Sequence, residues 1–65
     1  MKDWSMTTFD DVRPGNIIEH GDRTGQVATI SHTESGTVRA VVELWLMGSG
    51  SPVIGKLKEE IEVYR

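Results

Sequence analysis

The 65-residue chain contains no cysteine. A disulfide framework and a thiolate metal site are both excluded, so nothing of that kind can staple the domain. A chain near this length buries only about 60% of its unfolded surface, and a single unstapled core supplies roughly 3–5 kcal/mol. Aromatics are also scarce: Trp4, Phe9, Trp45 and Tyr64 are all there are. A basic excess is missing too. Seven Lys and Arg against ten Asp and Glu leave a formal net charge of -3. Nucleic-acid-binding domains draw most of their affinity from a basic face, so this balance argues against nucleic acid as the partner, although a local patch could survive it. No apolar run approaches the roughly 20 residues of a membrane-spanning helix, and no membrane partner is expected. The N-terminus has no apolar segment of the signal-peptide kind, and a cytoplasmic location is the expectation.

What the chain does have is the stretch Val38 to Met47, Val-Arg-Ala-Val-Val-Glu-Leu-Trp-Leu-Met. Side chains alternate along a strand, so Val38, Ala40, Val42, Leu44 and Leu46 share one side and read as core. Arg39, Val41, Glu43, Trp45 and Met47 share the other. Val41, Trp45 and Met47 are more apolar than a solvated face requires. Either a bent strand buries both faces within one monomer, or this face receives a second chain.

Around it, the chain reads as short strands separated by turn signals. Residues 1–7 form an expected flexible tail, with Trp4 either incidentally exposed or folded back, and residues 8–65 form the one domain. Thr8-Phe9-Asp10-Asp11 fits a short helical turn, with Thr8 as its cap and the carboxylates at its positive end. Arg13-Pro14-Gly15-Asn16 stops it with type II turn chemistry. Expected strands then cover Asn16–Glu19, Gln26–His32, Thr37–Met47, Pro52–Leu57 and Ile61–Tyr64. A polar loop occupies 20–25, a hairpin turn 33–36 and a flexible Gly-Ser tip 48–51. Five short strands at this spacing predict an all-β fold, and the length permits only a small barrel.

The run Val12-Arg13-Pro14-Gly15-Asn16-Ile17-Ile18, then Gly21, then Gly25-Gln26-Val27, resembles the opening of Src-homology-3-like barrels. These include KOW and Tudor-like modules and the N-terminal domain of translation elongation factor P. The closing Leu57 to Tyr64 looks like their short turn and final strand. The resemblance covers most of residues 12–64 and implies a five-stranded antiparallel barrel. It leaves function open, because such barrels serve protein, peptide and RNA binding alike. The loop tips lack the lysine that elongation factor P carries, and the aromatics are too few for a Tudor cage.

Chemistry-bearing patterns are weak. His20 lies between Glu19 and Asp22, but His32 is on another strand and no ligand spacing joins them. Ser31 and His32 are strand neighbours and point to opposite faces, a poor nucleophile–base pair. Gly48-Ser49-Gly50-Ser51 lacks the ending of a phosphate loop. Arg39, Lys56 and Lys58 could make a basic strip, with Glu43, Glu59, Glu60 and Glu62 close enough to neutralise it. No catalytic residue, metal site or cofactor is expected. The reading is a small non-enzymatic protein-interaction module, in the style of a phage or mobile-element accessory protein. Its partner, another protein or a second copy of the chain, would sit on Arg39, Val41, Glu43, Trp45 and Met47. The alternative is a nucleic-acid or ribosome-binding barrel contacting its target through the Asp22-Arg23 loop and the tip at Ser49.

Overall fold

The fold is seen in a computed structural model that describes residues 3–35 and 39–65, with the backbone alone at 33–35, 39 and 40. The chain is almost entirely β. In order it forms β1 (Trp4–Thr8), a single 3-10 turn η1 (Phe9–Asp11), β2 (Ile17–His20), β3 (Arg23–Ser35), β4 (Arg39–Leu46), β5 (Val53–Lys56) and β6 (Glu60–Tyr64). All pairings are antiparallel, and the strand order is β1-β6-β2-β3-β4-β5. The sheet is open: β1 and β5, at its two ends, do not pair with each other. Among the described residues no helix is long and apolar enough to cross a membrane.

Three expectations need correction. There are six strands instead of five, because residues 4–8 are no loose tail. They pair along their whole length with β6, from Trp4 opposite Tyr64 to Thr8 opposite Glu60. The short alternating segment Trp-Ser-Met-Thr-Thr has the β-branched and aromatic residues a strand favours. The polar loop expected over 20–25 shrinks to Gly21-Asp22, since β3 already starts at Arg23. The turn expected at 33–36 does not begin at Thr33. Residues 33–35 continue β3, and Gly36, like Val38, lies outside the described residues.

The poor alternation of β3 has a physical cause. Val27 faces Leu46 and Thr29 faces Trp45, so Ala28 is an extra residue in the ladder. A bulge of this kind reverses the phase of alternation beyond it. Val27 is buried before the bulge, and Ile30, not Thr29, packs against the core after it. β2 pairs with β3 only as far as Gln26, and β5 pairs with β4 only over Val41–Leu44. Only the far ends, residues 34–35 of β3 and 39–40 of β4, therefore run on as a two-stranded ribbon. The molecule measures 41 by 24 by 19 Å, and a straight 13-residue strand would account for about 43 Å.

The turn before β2 follows its sequence closely. Asn16 N–H donates to Arg13 O at 3.1 Å, and Gly15 has φ of +96°, the positive value a type II turn demands at that place. Thr8 precedes η1 without capping it. Its hydroxyl instead bonds the Asp10 carboxylate.

The core comprises Phe9, Val12, Ile18, Val27, Val42, Leu44, Leu46, Val53, Ile61 and Val63. Every strand except β1 contributes to it. Phe9 enters from η1, which follows β1 directly and packs on β5. Its ring fills the space a side chain at position 55 would need: a Cβ on Gly55 would lie 2.5 Å from Phe9 Cζ. The Phe9 and Asp10 amides donate to Glu59 O at 3.0 Å and Leu57 O at 3.1 Å. This turn thus latches the two open ends of the sheet together.

Gly55→Ala should destabilise the protein by about 1–3 kcal/mol through overpacking, measured by urea unfolding. Adding Phe9→Leu should recover part of that loss, because the two residues share one space. Independent, additive effects would show that the contact does not couple them.

Candidate interaction surface

β4 alternates as its sequence dictates. Val42, Leu44 and Leu46 are buried in the core, while Val41, Glu43 and Trp45 lie half-buried on the outer face of the sheet. Trp45 lies outside the core cluster, and no second layer covers this face among the described residues. Its neighbours follow from register. Thr29 stands beside Trp45, Ser31 and Ile54 flank Glu43, and Lys56 stands beside Val41. Met47 lies just past the end of β4, 64% exposed, with its N–H donated to Gln26 O at 2.9 Å.

Three of the five residues expected at an interface, Val41, Glu43 and Trp45, therefore share one sheet face, and Met47 extends the surface beyond the strand end. Arg39 occupies the next outward register position, opposite Ser35, and its side chain lies outside the described residues. Sequence reasoning missed Ile54, which is 53% exposed and faces outward beside Glu43. The signal was in β5: Val53 and Gly55 are buried, which puts Ile54 and Lys56 on the opposite, outer side.

A second apolar group lies at the other end of the sheet. Trp4, Tyr64 and Ile17 stand in register across β1, β6 and β2, with the Trp4 and Tyr64 rings 5.3 Å apart. Met6 lies one row away and is 57% exposed. It faces Glu62, which in turn faces Glu19, so two like charges oppose each other there. Two hollows on the described surface measure about 180 and 290 Å³, below the roughly 300–1,000 Å³ of small-molecule sites.

Among the described residues, Arg23, Lys58 and Arg65 bond to groups within the chain. The Arg23 guanidinium donates to Pro52 O at 2.9 Å and to Ser49 Oγ and Ser51 O at 2.7 Å. It pins the Gly-Ser tip to the β2–β3 turn, so these two expected contact loops are tied to each other. Lys58 pairs with Asp10 at 2.8 Å and Arg65 with Asp11 at 3.2 Å. His20 bonds Glu59 at 3.1 Å and meets the Phe9 ring edge-on. Among the described residues no group of three or more His, Asp or Glu is placed to hold a metal. Comparison of the chain with protein-family models, curated proteins and solved structures finds no match.

These contacts shift the carboxyls around η1. Lys58 and then Thr8 hold Asp10 below its ordinary 3.8. Thr7 and then Arg65 do the same for Asp11. The Lys56 amide, with His20, lowers Glu59 from 4.5. Groups whose folded pKa is depressed contribute stability above their unfolded pKa and lose it as pH falls through the folded one. The melting temperature should therefore drop below about pH 4 and stay nearly level from about pH 6 to 8. The combined Asp10→Asn and Asp11→Asn variant should show a shallower acid loss in the same melts. An equally steep loss would place the acid-sensitive groups elsewhere.

Proposed function

We propose that this protein is a small, non-enzymatic protein-interaction module that receives a partner on the outer face of β4 and β5. The observation that carries the reading is Trp45, half-buried on the outer sheet face and outside the core cluster, with Val41, Ile54 and Met47 extending the apolar surface. Glu43 stands among them, between Val41 and Trp45 and beside Ile54, and Lys56 stands beside Val41 at the edge. Trp and Met are enriched at interface cores, and one desolvated aromatic anchor commonly dominates their energy. The Src-homology-3-like reading belongs with this proposal. It is supported by short antiparallel strands, a bulge in the long strand, and the latch that draws the ends of the sheet together.

Because Trp45 is outside the core cluster, Trp45→Ala should leave a cooperatively folded protein. Pull-down from native host extract, followed by titration of the captured partner, should show binding weakened at least about tenfold by Trp45→Ala and by Ile54→Lys. Partner binding that survives both changes would rule this face out.

A further inference from the structure

β1 differs from the other strands in what holds it. None of its five residues is buried, so no core contact fixes it. It is tied to the molecule through the β6 ladder on one side. Asp3 and Arg65 exchange both backbone hydrogen bonds, at 3.1 and 3.0 Å. In an antiparallel pair such exchanges occur at every second residue. Asp3, Ser5 and Thr7 therefore direct their backbone groups at β6, and Trp4, Met6 and Thr8 direct theirs off the open edge. The Trp4 amide is met by its neighbour's Asp3 carboxylate at 2.8 Å. Among the described residues the Met6 N–H and C=O have no such partner.

An unpaired edge is a template for another strand, and stable monomers blunt it with charge, proline or a bulge. Two other edges among the described residues, those of β5 and β3, carry such devices. β5 is four residues long, follows Pro52, contains Lys56, and has the Lys56 amide taken by Glu59 Oε1 at 3.2 Å. The free part of β3 is bent by the bulge at Ala28 where it begins. β1 reads Trp-Ser-Met-Thr-Thr, with no proline and no bulge; Asp3 caps its Trp4 amide, but among the described residues its Met6 N–H and C=O stay open.

We propose that β1 pairs antiparallel with β1 of a second copy of this chain, about a two-fold axis at Met6, to join two six-stranded sheets into one. The surface is self-complementary, as a two-fold contact requires. Met6 of each copy exchanges both backbone bonds with its counterpart, and Trp4 stands opposite Thr8 of the other chain. The exposed Trp4 and Met6 side chains of both copies then share one face and shield each other. Pairing requires Asp3 to release the Trp4 amide to Thr8 of the other copy. The Glu62 carboxylates of the two copies are separated by three strand spacings, about 14 Å, beyond the roughly 8 Å screening length at physiological salt. With the other edges defended, the assembly closes at two copies. This contact is independent of the Trp45 face.

The contact is small, so its dissociation constant should fall between about 10 μM and 1 mM. Sedimentation of the full chain up to about 1 mM should show a monomer–dimer equilibrium with no larger species. Met6→Pro removes only an amide that points off the edge, so it leaves the β1–β6 ladder intact. It should weaken dimerisation at least about tenfold with an unchanged circular dichroism spectrum. Met6→Lys, which sets two lysines opposite each other at the axis while giving Glu62 a partner within the chain, should do the same and guards against a proline-specific folding defect. A wild-type chain that stays monomeric throughout would overturn the proposal, as would open-ended polymers. So would a dimer that survives Met6→Lys in a folded protein, or one that Trp45→Ala abolishes while Met6→Lys leaves it intact.

Discussion

The contact between the Phe9 ring and the bare backbone of Gly55 is the constraint around which this small sheet is arranged. An open six-stranded sheet of this size has one face to bury and no second layer to cover it. Phe9 supplies the largest side chain in the core and delivers it from the element that follows one end strand onto the other end strand. The ring also meets His20 of β2, and the neighbouring backbone bonds the turn before β6. Three separate parts of the chain are thereby brought to one place. Phe and Gly are a matched pair here, since any side chain at position 55 would claim the volume the ring already fills.

The same economy explains the surface. With Val42, Leu44, Leu46, Val53, Ile61 and Val63 all turned inward, the outward positions of the strands are left with whatever the protein needs there. At β4 and β5 they hold Trp45, Val41 and Ile54; at β1, β6 and β2 they hold Trp4, Met6, Tyr64 and Ile17. Glu43, Lys56, Glu19 and Glu62 share these outward positions, and other charges fasten the corners. Asp10, Asp11, Lys58 and Arg65 fasten η1 at its corner, and Arg23 holds the tip. The two apolar groups lie at opposite ends of one sheet and can therefore serve two different contacts.

Much of the fold was legible in the residues. The all-β class, the inward row of β4, the turn at Arg13–Asn16 and the outward placement of Trp45 follow from alternation and from proline and glycine chemistry, which are local. What alternation could not reveal was non-local. The bulge at Ala28 shows in the sequence only as a broken pattern, and its position depends on the partner strand. β1 reads as a tail because its value lies in a backbone ladder with β6, more than fifty residues away. Ile54 was overlooked because a four-residue strand gives too few alternations to orient. The roles of Phe9 and Gly55 are visible only once the ends of the sheet meet.

Native-state hydrogen exchange measures the dependence on this latch most directly. The Phe9 and Asp10 amides donate to Glu59 and Leu57 in a single exposed corner, where ordinary loop amides would exchange by local fraying. If the latch holds the sheet together, both should exchange as slowly as the Val42 and Val63 amides of the central strands, through global unfolding alone. Fast exchange at Phe9 and Asp10 while the central strands remain protected would contradict the account, because the corner would then open without the fold noticing.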